Sequence, residues 1–384
     1  MKSDELNRGE LSDIFRLYGA EYRKTYGTPS EHISIMNLIV NCRTSVLGRH
    51  MESCGKCGYK TIAYNSCRNR HCPKCQHRAR ELWVKTRESE LLQVPYYHIV
   101  FTIPDILNPI VLVNKRQLYG ILFKAASETL LTLGRDPNRL GAEIGIIAVL
   151  HTWGQTLTEH PHLHCIVPGG GLTPDCKRWK YSKKVKFNKF FIHVNVISDL
   201  FKKKYLYYLK KAYKNNKLKC TGRMKELGSA ERFYRLLSTL YDKKWITYCK
   251  RPFGGPKHVI EYLGRYTHRV AISNSRIKSI EEGKVIFEYK DYRKNRSKEM
   301  ILPAVEFIRR FMQHILPFGF FKIRYYGILS GRKKKESLER CREILNRGKE
   351  KEKTIMPEVL RWLCPECKEG NMIARNIEYY EASG

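Results

Sequence analysis

The sequence predicts an α+β fold in which an antiparallel sheet with flanking helices follows a small zinc-binding domain. Strand-like runs of β-branched and aromatic residues alternate irregularly with helical segments, without the regular βαβ order of a parallel sheet. Six of the 13 cysteines lie ahead of the first such run, between Cys42 and Cys75. We therefore expect an N-terminal domain over residues 1–92, the sheet domain over residues 93–335 and a basic tail over residues 336–384.

Hydrophobic spacing predicts the positions of the helices and strands. Apolar residues three and four apart, such as Leu11, Ile14 and Phe15, predict amphipathic helices. Short β-branched runs predict strands, and Pro104 and the glycines that begin at Gly169 end two of these runs. The predicted helices cover residues 4–26, 33–47, 114–133, 196–218, 230–241, 257–270 and 303–315, and the predicted strands cover residues 97–103, 144–151, 162–167, 245–249, 285–292 and 321–329.

The charge of the chain points to nucleic acid. Among 384 residues there are 72 Lys and Arg but only 37 Asp and Glu, which gives a formal net charge of +35. A charge of this size repels itself unless a polyanion neutralises it, so DNA is the expected partner. A hydrophobic fraction of 42% excludes wholesale disorder.

We expect neither an export signal nor a membrane-spanning segment. No run reaches the roughly 18 uncharged apolar residues that a membrane-spanning helix requires. Residues 1–10 alternate in charge and lack the apolar core of a signal peptide. The odd number of cysteines and their paired spacings favour reduced thiols, several of which bind metal. We therefore expect a cytoplasmic protein with no membrane partner.

Two C-x-x-C pairs, fourteen residues apart, predict a structural zinc site. Two thiolates at this spacing can bind one ion from a tight turn, and four of them complete a tetrahedral site with no open position. The predicted ligands are Cys54, Cys57, Cys72 and Cys75. Four buried structural thiols are the alternative, and the nearby Cys67, His71 and His50 are alternative ligands. The zinc ion is expected to fold a domain that has little core of its own.

Basic residues surround the second cysteine pair. A zinc module with a basic face is typical of a DNA-docking element, although a solvated surface is the alternative. The predicted DNA-binding residues are Arg68, Arg70, Lys74 and Arg78. A further pair in the tail, Cys364 and Cys367, is half of a site without local partners, and no role is assigned to it.

Two histidines two residues apart on a predicted strand suggest a second kind of metal site. His162 and His164 point to the same face because strand side chains alternate. Two imidazoles can bind a divalent ion and leave positions for a phosphate. The preceding turn brings His151, Gln155 or Glu159 within reach as a third ligand, and Gln155 is preferred. A pair of structural histidines is the alternative.

Two tyrosines four residues apart form the third motif. Tyr262 and Tyr266 share one face of a predicted helix, and Arg269 follows on roughly the same face. Packing is the alternative, since the chain holds 24 tyrosines. Together with the histidines, however, these residues suit phosphoryl transfer. A metal-bound phosphate can be attacked by a tyrosine hydroxyl, while an arginine neutralises the phosphate oxygens.

These motifs together resemble the HUH endonucleases, and within them the two-tyrosine rolling-circle transposases of the IS91 type. His162-Leu163-His164 and Tyr262-x-x-x-Tyr266 are similar to that family's metal and nucleophile motifs. The segment from residue 65 to residue 76 is similar to its N-terminal zinc-binding segment, and the three segments occur in the family's order.

The resemblance implies a fold, an activity and partners. The histidines would lie on a central antiparallel strand beside the tyrosine helix, with Mg²⁺ or Mn²⁺ as the catalytic ion and Zn²⁺ as the structural one. The enzyme would nick single-stranded DNA at the element's ends, bond the 5′ phosphate to tyrosine and leave a 3′ hydroxyl. Its DNA partners would be the single-stranded element ends and the target.

The resemblance also implies the setting in which the enzyme works. Host replication proteins would displace the strand, and the enzyme would act at the nucleoid of a bacterium or archaeon. The alternatives are an HUH replication initiator or relaxase, and a non-catalytic zinc-dependent DNA-binding regulator. The oligomeric state is left open.

Overall fold

The structure, a computed structural model, describes residues 9–88, 90–181, 192–250, 264, 271–291, 294–346 and 362–378. Helices and strands are mixed irregularly along the chain. All ten strand pairings among the described residues are antiparallel, so the predicted α+β class is confirmed. Within the described part of the chain, no helix combines the length and apolar character needed to cross a bilayer.

The helices predicted over residues 4–26, 33–47, 114–133, 196–218, 230–241 and 303–315 each overlap a helix of the structure, whereas the helices at residues 73–88 and 108–113 were not predicted. The first helix begins after Glu10, whose carboxylate caps the helix while the side chain of Asp13 accepts a hydrogen bond from the Glu10 backbone. The α-helices are α1 Leu11–Tyr26, α2 Ser30–Val40, α3 Pro73–Glu88, α4 Asn108–Val113, α5 Lys115–Arg135, α6 Val194–Lys214, α7 Ala230–Asp242, α8 Ala304–Gln313 and α9 Lys334–Leu345.

The strands form three sheets of three or more strands and one two-stranded ribbon. They are β1 Arg49–Cys54, β2 Lys60–Tyr64, β3 Tyr96–Thr102, β4 Gly145–Trp153, β5 Glu159–Pro168, β6 Gly170–Leu172, β7 Trp179–Tyr181, β8 Thr247–Lys250, β9 Ile277–Glu281, β10 Lys284–Asp291, β11 Arg296–Pro303, β12 Ile323–Gly327, β13 Trp362–Leu363 and β14 Asn371–Glu378. The sheet orders are β12-β4-β5-β3-β8, β11-β10-β9, β13-β14-β1-β2 and β6-β7.

The five-stranded sheet is covered on both faces. On one face, Ile99, Ala148 and Leu163 pack against α5, α6 and α7 in the largest buried cluster. On the other face, Ile147 and Ile166 pack with residues of α9, and Trp83 of α3 packs against the same cluster. The near-continuous apolar runs of β4 and β5 follow from this two-sided burial.

The N-terminal helices pack against the three-stranded sheet and α8 rather than standing apart. Phe15 of α1 meets Phe311 of α8 edge to face, with ring centroids 5.5 Å apart. Cys42 and Cys72 are buried in the same cluster. The cysteine-rich loops are therefore anchored to a substantial apolar core, whereas the sequence predicted a domain with little core of its own.

The C-terminal strand joins the N-terminal sheet. β14 pairs with β1 along its length, with Cys54 opposite Met372, and β13 pairs with β14. The predicted boundaries at residues 92 and 335 remain predictions, but residues 362–378 do not form a separate tail in the structure. The helix predicted over residues 257–270 lies outside the described residues except for Gly264, which is helical and buried.

Candidate active site and metal centres

Three histidines meet on one face of the central sheet. β4 and β5 pair so that His151 lies directly opposite His162 and Val149 lies opposite His164. Because side chains alternate along a strand, His162 and His164 share a face, and the register brings His151 to the same face. We call these three residues the histidine triad.

The geometry of the histidine triad suits one metal ion. The ring centroid of His151 lies 5.3 Å from that of His162 and 4.5 Å from that of His164, and the latter two are 4.9 Å apart. One nitrogen of each ring lies within 4.8 Å of the others. Three imidazole ligands leave positions open on a divalent ion, as a catalytic site requires.

The structure corrects the preferred third ligand. Gln155 lies in the turn beyond the paired strands, where its amide oxygen accepts a hydrogen bond from the backbone N–H of Lys290 at 3.5 Å. Glu159 begins β5, but its carboxylate lies 3.7 Å from Nδ1 of His314. His151 lies beside the histidine pair, because strand pairing rather than proximity along the chain decides which side chain faces that pair.

Hydrogen bonds orient two of the imidazoles. Nδ1 of His162 donates to the backbone carbonyl of His160 at 2.5 Å, which leaves Nε2 as the ligand atom. Nδ1 of His164 lies 2.8 Å from Nε2 of His98 on β3, and the two rings stack with an interplanar angle of 5°. His98 therefore occupies the position of a residue that sets the tautomer of a metal ligand.

Burial keeps two members of the triad neutral. Removal from water, with a contribution from His160, lowers the pKa of His162 to about 4. Burial and the neighbouring imidazoles lower the pKa of His164 well below its ordinary value. A neutral imidazole offers its lone pair to a metal ion. His151 and His164 are buried and His162 is half-buried.

The predicted nucleophile motif falls outside the described residues. This applies to Tyr262, Tyr266 and Arg269. Gly264, between the two tyrosines, is described: it packs against α3 so closely that a Cβ there would clash with the side chain of Val84. The preceding residue of α3, Trp83, packs against the cluster on the triad face of the central sheet. Gly264 therefore contacts the helix that borders that face.

The four predicted zinc ligands do not form one site. Cys72 and Cys75, at the start of α3, lie with Cys42 and Cys67, whereas Cys54 and Cys57 lie with a different pair. The predicted grouping is therefore wrong. The reason is the path of the chain. The end of α2 and the loop before α3 place Cys42 and Cys67 beside the Cys72 pair, while the β1–β2 hairpin places the Cys54 pair elsewhere. We call Cys42, Cys67, Cys72 and Cys75 the first cysteine cluster.

The first cysteine cluster has the dimensions of a zinc site. Sγ of Cys75 lies 3.5 Å from Sγ of Cys42 and 3.6 Å from Sγ of Cys67. Four sulfurs around an ion at about 2.3 Å form a tetrahedron with edges of about 3.8 Å, so these distances fit. The cysteines of the described residues are all free of disulfides. The first cysteine cluster is therefore a candidate for the predicted structural zinc site.

The predicted DNA-binding residues divide into different environments. The Arg70 guanidinium donates to the carbonyls of Leu316 at 3.2 Å and Pro317 at 2.9 Å, so it ties the cysteine loop to the segment after α8. Lys74 pairs with Glu10 at 2.6 Å. Arg68 is exposed. The side chain of Arg78 lies outside the described residues. The DNA-binding role of the four stays a prediction.

Sequence reasoning missed His98 and Cys42. His98 lies in the correctly predicted strand β3, but only the order of strands in the sheet shows that it faces His164. Cys42 follows α2, thirty residues before Cys72, without a second cysteine at a metal-binding spacing. The sequence does offer one signal for Cys42: six cysteines lie before residue 76, and the predicted site uses only four of them.

The chain matches two family models. The model described as "Putative transposase" matches residues 145–337, about half of the chain, and includes the histidine triad. The model described as "Transposase zinc-binding domain" matches residues 14–103 and includes the first cysteine cluster.

Two curated relatives extend this match. "Putative transposase y4qJ" of Sinorhizobium fredii (strain NBRC 101917 / NGR234) is 45% identical over 383 residues, which cover 96% of this chain and 95% of the relative. "Transposase for insertion sequence element IS801" of Pseudomonas savastanoi pv. phaseolicola is 28% identical over 306 residues, covering 78% of this chain and 70% of the relative. No solved structure matches the chain. The chain therefore belongs to the IS91 family of insertion-sequence transposases, enzymes that act on DNA.

Proposed function

We propose that this transposase nicks and rejoins single-stranded DNA at a divalent metal site formed by His151, His162 and His164, through a covalent 5′-phosphotyrosine intermediate. The histidine triad carries the proposal, because its three imidazoles converge within 4.8 Å on one face of the central sheet. A site with three protein ligands suits chemistry better than structure, since it leaves room for a phosphate oxygen.

The triad would hold Mg²⁺ or Mn²⁺. Such an ion, when bound, polarises the scissile phosphate and stabilises the charge that develops on it. The protein's own contribution is orientation. The contacts of His162 with the His160 carbonyl and of His164 with His98 fix the rings before DNA arrives. Fixed ligands lose little entropy when the phosphate binds.

Tyr262 and Tyr266 are the proposed nucleophiles. The hydroxyl oxygen of a tyrosine forms a bond to phosphorus, the bond from phosphorus to the 3′ oxygen breaks, the phenol loses its proton and the 3′ oxygen gains one. The phosphotyrosine conserves the energy of the phosphodiester for rejoining. Two tyrosines permit two successive cleavages in one site. The packing of Gly264 against α3 supports this role, because α3 also borders the triad face.

The charge of the protein supports DNA contacts beyond the site. Arg269 is proposed to neutralise phosphate oxygens during the reaction. The N-terminal module is proposed to bind the element's ends, and a net charge of +35 attracts the DNA backbone without regard to sequence. The released 3′ hydroxyl would prime synthesis by host replication proteins, which would displace the element as a single strand at the nucleoid.

A labelled-oligonucleotide assay tests the proposal. Purified protein is mixed with single-stranded element-end DNA carrying a 5′ or a 3′ label, with Mg²⁺ or Mn²⁺. We expect a covalent adduct on the fragment downstream of the nick only. The double variant Tyr262→Phe and Tyr266→Phe should lose the adduct and keep DNA binding.

The matched control is a double variant with the same chemical change at exposed positions away from the sheet, Tyr207→Phe and Tyr241→Phe. This control should form the adduct normally. A gel shift without any adduct in the unaltered protein would contradict the proposal and would leave a DNA-binding regulator. An adduct that persists in the Tyr262 and Tyr266 double variant would move the nucleophile elsewhere.

A further inference from the structure

We propose that Cys54, Cys57, Cys364 and Cys367 form a second structural zinc site, which joins the N-terminal and C-terminal parts of the chain. The match to the transposase zinc-binding domain ends at residue 103 and so does not include the C-terminal pair. The four residues are called the second cysteine cluster. The inference is independent of the proposed nicking reaction.

The sulfur positions have the dimensions of a tetrahedral site. Sγ of Cys54 lies 3.8 Å from Sγ of Cys367, and Sγ of Cys57 lies 3.6 Å from Sγ of Cys364. All four sulfurs lie within 4.8 Å of one another. The edge of a zinc–thiolate tetrahedron is about 3.8 Å, whereas a disulfide would bring two sulfurs to about 2.05 Å. The spacing is therefore that of ligands to one ion.

The two halves of the site have the same local backbone. In each, the residue after the second cysteine has a positive φ, +75° at Gly58 and +56° at Lys368. The N–H of that residue donates to the carbonyl of the first cysteine of its pair, at 3.2 Å from Gly58 and 2.9 Å from Lys368. Backbone N–H groups also point at the sulfurs, from Cys57 to Cys54 at 3.4 Å and from Gly370 to Cys367 at 3.3 Å. Two matching metal-binding turns therefore face each other.

The surrounding structure fits the two halves together closely. A Cβ on Gly370 would clash with the sulfur of Cys54, so only glycine allows this approach. The backbone N–H of Gly55 donates to the carbonyl of Asn371 at 3.1 Å. Lys56 and Glu369 form an ion pair across the junction. The pairing of β1 with β14 continues directly from these contacts.

The ion at this site would be structural and would join segments that are far apart in the sequence. Four protein thiolates leave no open position on zinc. Cys54 and Cys367 are 313 positions apart, so the ion would hold together segments that the chain itself leaves far apart. The four-stranded sheet β13-β14-β1-β2 would then be complete only after the last part of the chain has been made.

Metal analysis of the full-length protein tests the site. We expect the double variant Cys364→Ser and Cys367→Ser to contain one zinc per chain less than the unaltered protein. The variant Cys54→Ser and Cys57→Ser should lose one zinc, and the combination of all four changes should still lose only one. The control Cys176→Ser and Cys220→Ser, outside both clusters, should lose none. Equal zinc in the Cys364 and Cys367 variant and in the unaltered protein would overturn the proposal.

Alkylation of the unaltered protein gives a test that needs no variant to fold. Cys57 and Cys176 are both exposed. We expect Cys176 to react quickly with iodoacetamide, whereas Cys57, Cys364 and Cys367 stay protected until a chelator removes zinc and then react together. Fast reaction of Cys364 and Cys367 before chelation would overturn the site. Iron in place of zinc in the metal analysis would overturn the assignment of the metal, since iron also accepts four thiolates.

Discussion

The cysteine clusters and the histidine triad differ in the number and type of ligands that they offer. Each cysteine cluster offers four thiolates, enough to surround an ion completely, whereas the triad offers three imidazoles on one face of the central sheet. A closed site can only stabilise structure, while an open one can accept a phosphate. This difference would let one chain keep structural metals apart from a catalytic metal, as we propose for this transposase.

The largest predicted effect on activity comes from the triad. The double change His162→Ala and His164→Ala should lower adduct formation by more than about a hundredfold, because it removes ligands rather than the residues that orient them. Zinc content at the cysteine clusters and the position of the thermal melt should change little. Adduct measurement and calorimetry on the same preparation separate the two effects. Normal adduct formation would show that the triad is not the catalytic metal site.

The first cysteine cluster should show the opposite pattern. The double change Cys42→Ser and Cys75→Ser should cost at least about 3 kcal/mol of unfolding free energy, because loss of a structural metal is among the most destabilising changes. Hydrogen exchange should increase across residues 42–75 first. A chelator should reproduce the effect in the unaltered protein. An unchanged melt after chelation would argue that the cluster holds no structural ion.

Variants of His98 test whether its contact with His164 orients the triad. Replacement by Phe, which removes the contact with His164, should lower the nicking rate about 10- to 100-fold at limiting metal. Raising the metal concentration should restore much of the rate, and the conservative variant His98→Gln, which keeps a hydrogen-bonding group, should be milder. If both variants nick DNA as fast as the unaltered protein at every metal concentration, His98 has a packing role only.

Glu159 should have the smallest effect on nicking. It was a candidate third ligand, but its side chain, 8% exposed, lies beside His314, away from the triad. Glu159→Gln should change adduct formation less than about twofold, since the carboxylate is not a ligand. A large loss of adduct in this variant would restore Glu159 as a ligand.

The same variant should change the pH dependence of stability. Burial raises the pKa of Glu159 to about 7 from an ordinary 4.5, against the opposing influence of Lys115 and Arg309. The folded state therefore holds this proton more tightly than the unfolded state. The stabilisation of the folded state by this proton is complete below about pH 4.5 and is lost as the pH rises through about 7. Relative to the unaltered protein, Glu159→Gln should gain up to about 3 kcal/mol between pH 4.5 and pH 8, as measured by denaturant unfolding.

The sequence predicted the elements better than the contacts between them. The strand with His162 and His164 and the strand with His151 follow from local composition, and both form. The position of His151, the proposed third ligand, does not follow from local composition, because it depends on the register that places His151 opposite His162. Gln155 is nearer to His162 in sequence, but the turn carries it toward Lys290 instead.

The grouping of the cysteines also could not be predicted from local sequence, because the cysteines that meet lie far apart along the chain. Spacing predicts metal-binding turns at Cys54 and at Cys72, but it does not specify which turns meet. Cys364 and Cys367 lack local partners in the sequence and acquire them only when β14 pairs with β1. Local patterns thus specify the ligand types, whereas long-range strand pairing specifies the sites.

Peptide mapping of the covalent adduct tests the central claim most directly. The adduct formed on single-stranded element-end DNA with Mg²⁺ or Mn²⁺ is digested with protease and nuclease, and the modified peptide is identified by mass spectrometry. We predict a 5′-phosphonucleotide on Tyr262 or Tyr266, absent when His162 and His164 are replaced. A nucleotide attached to another residue, or cleaved DNA with no protein attached, would contradict the account.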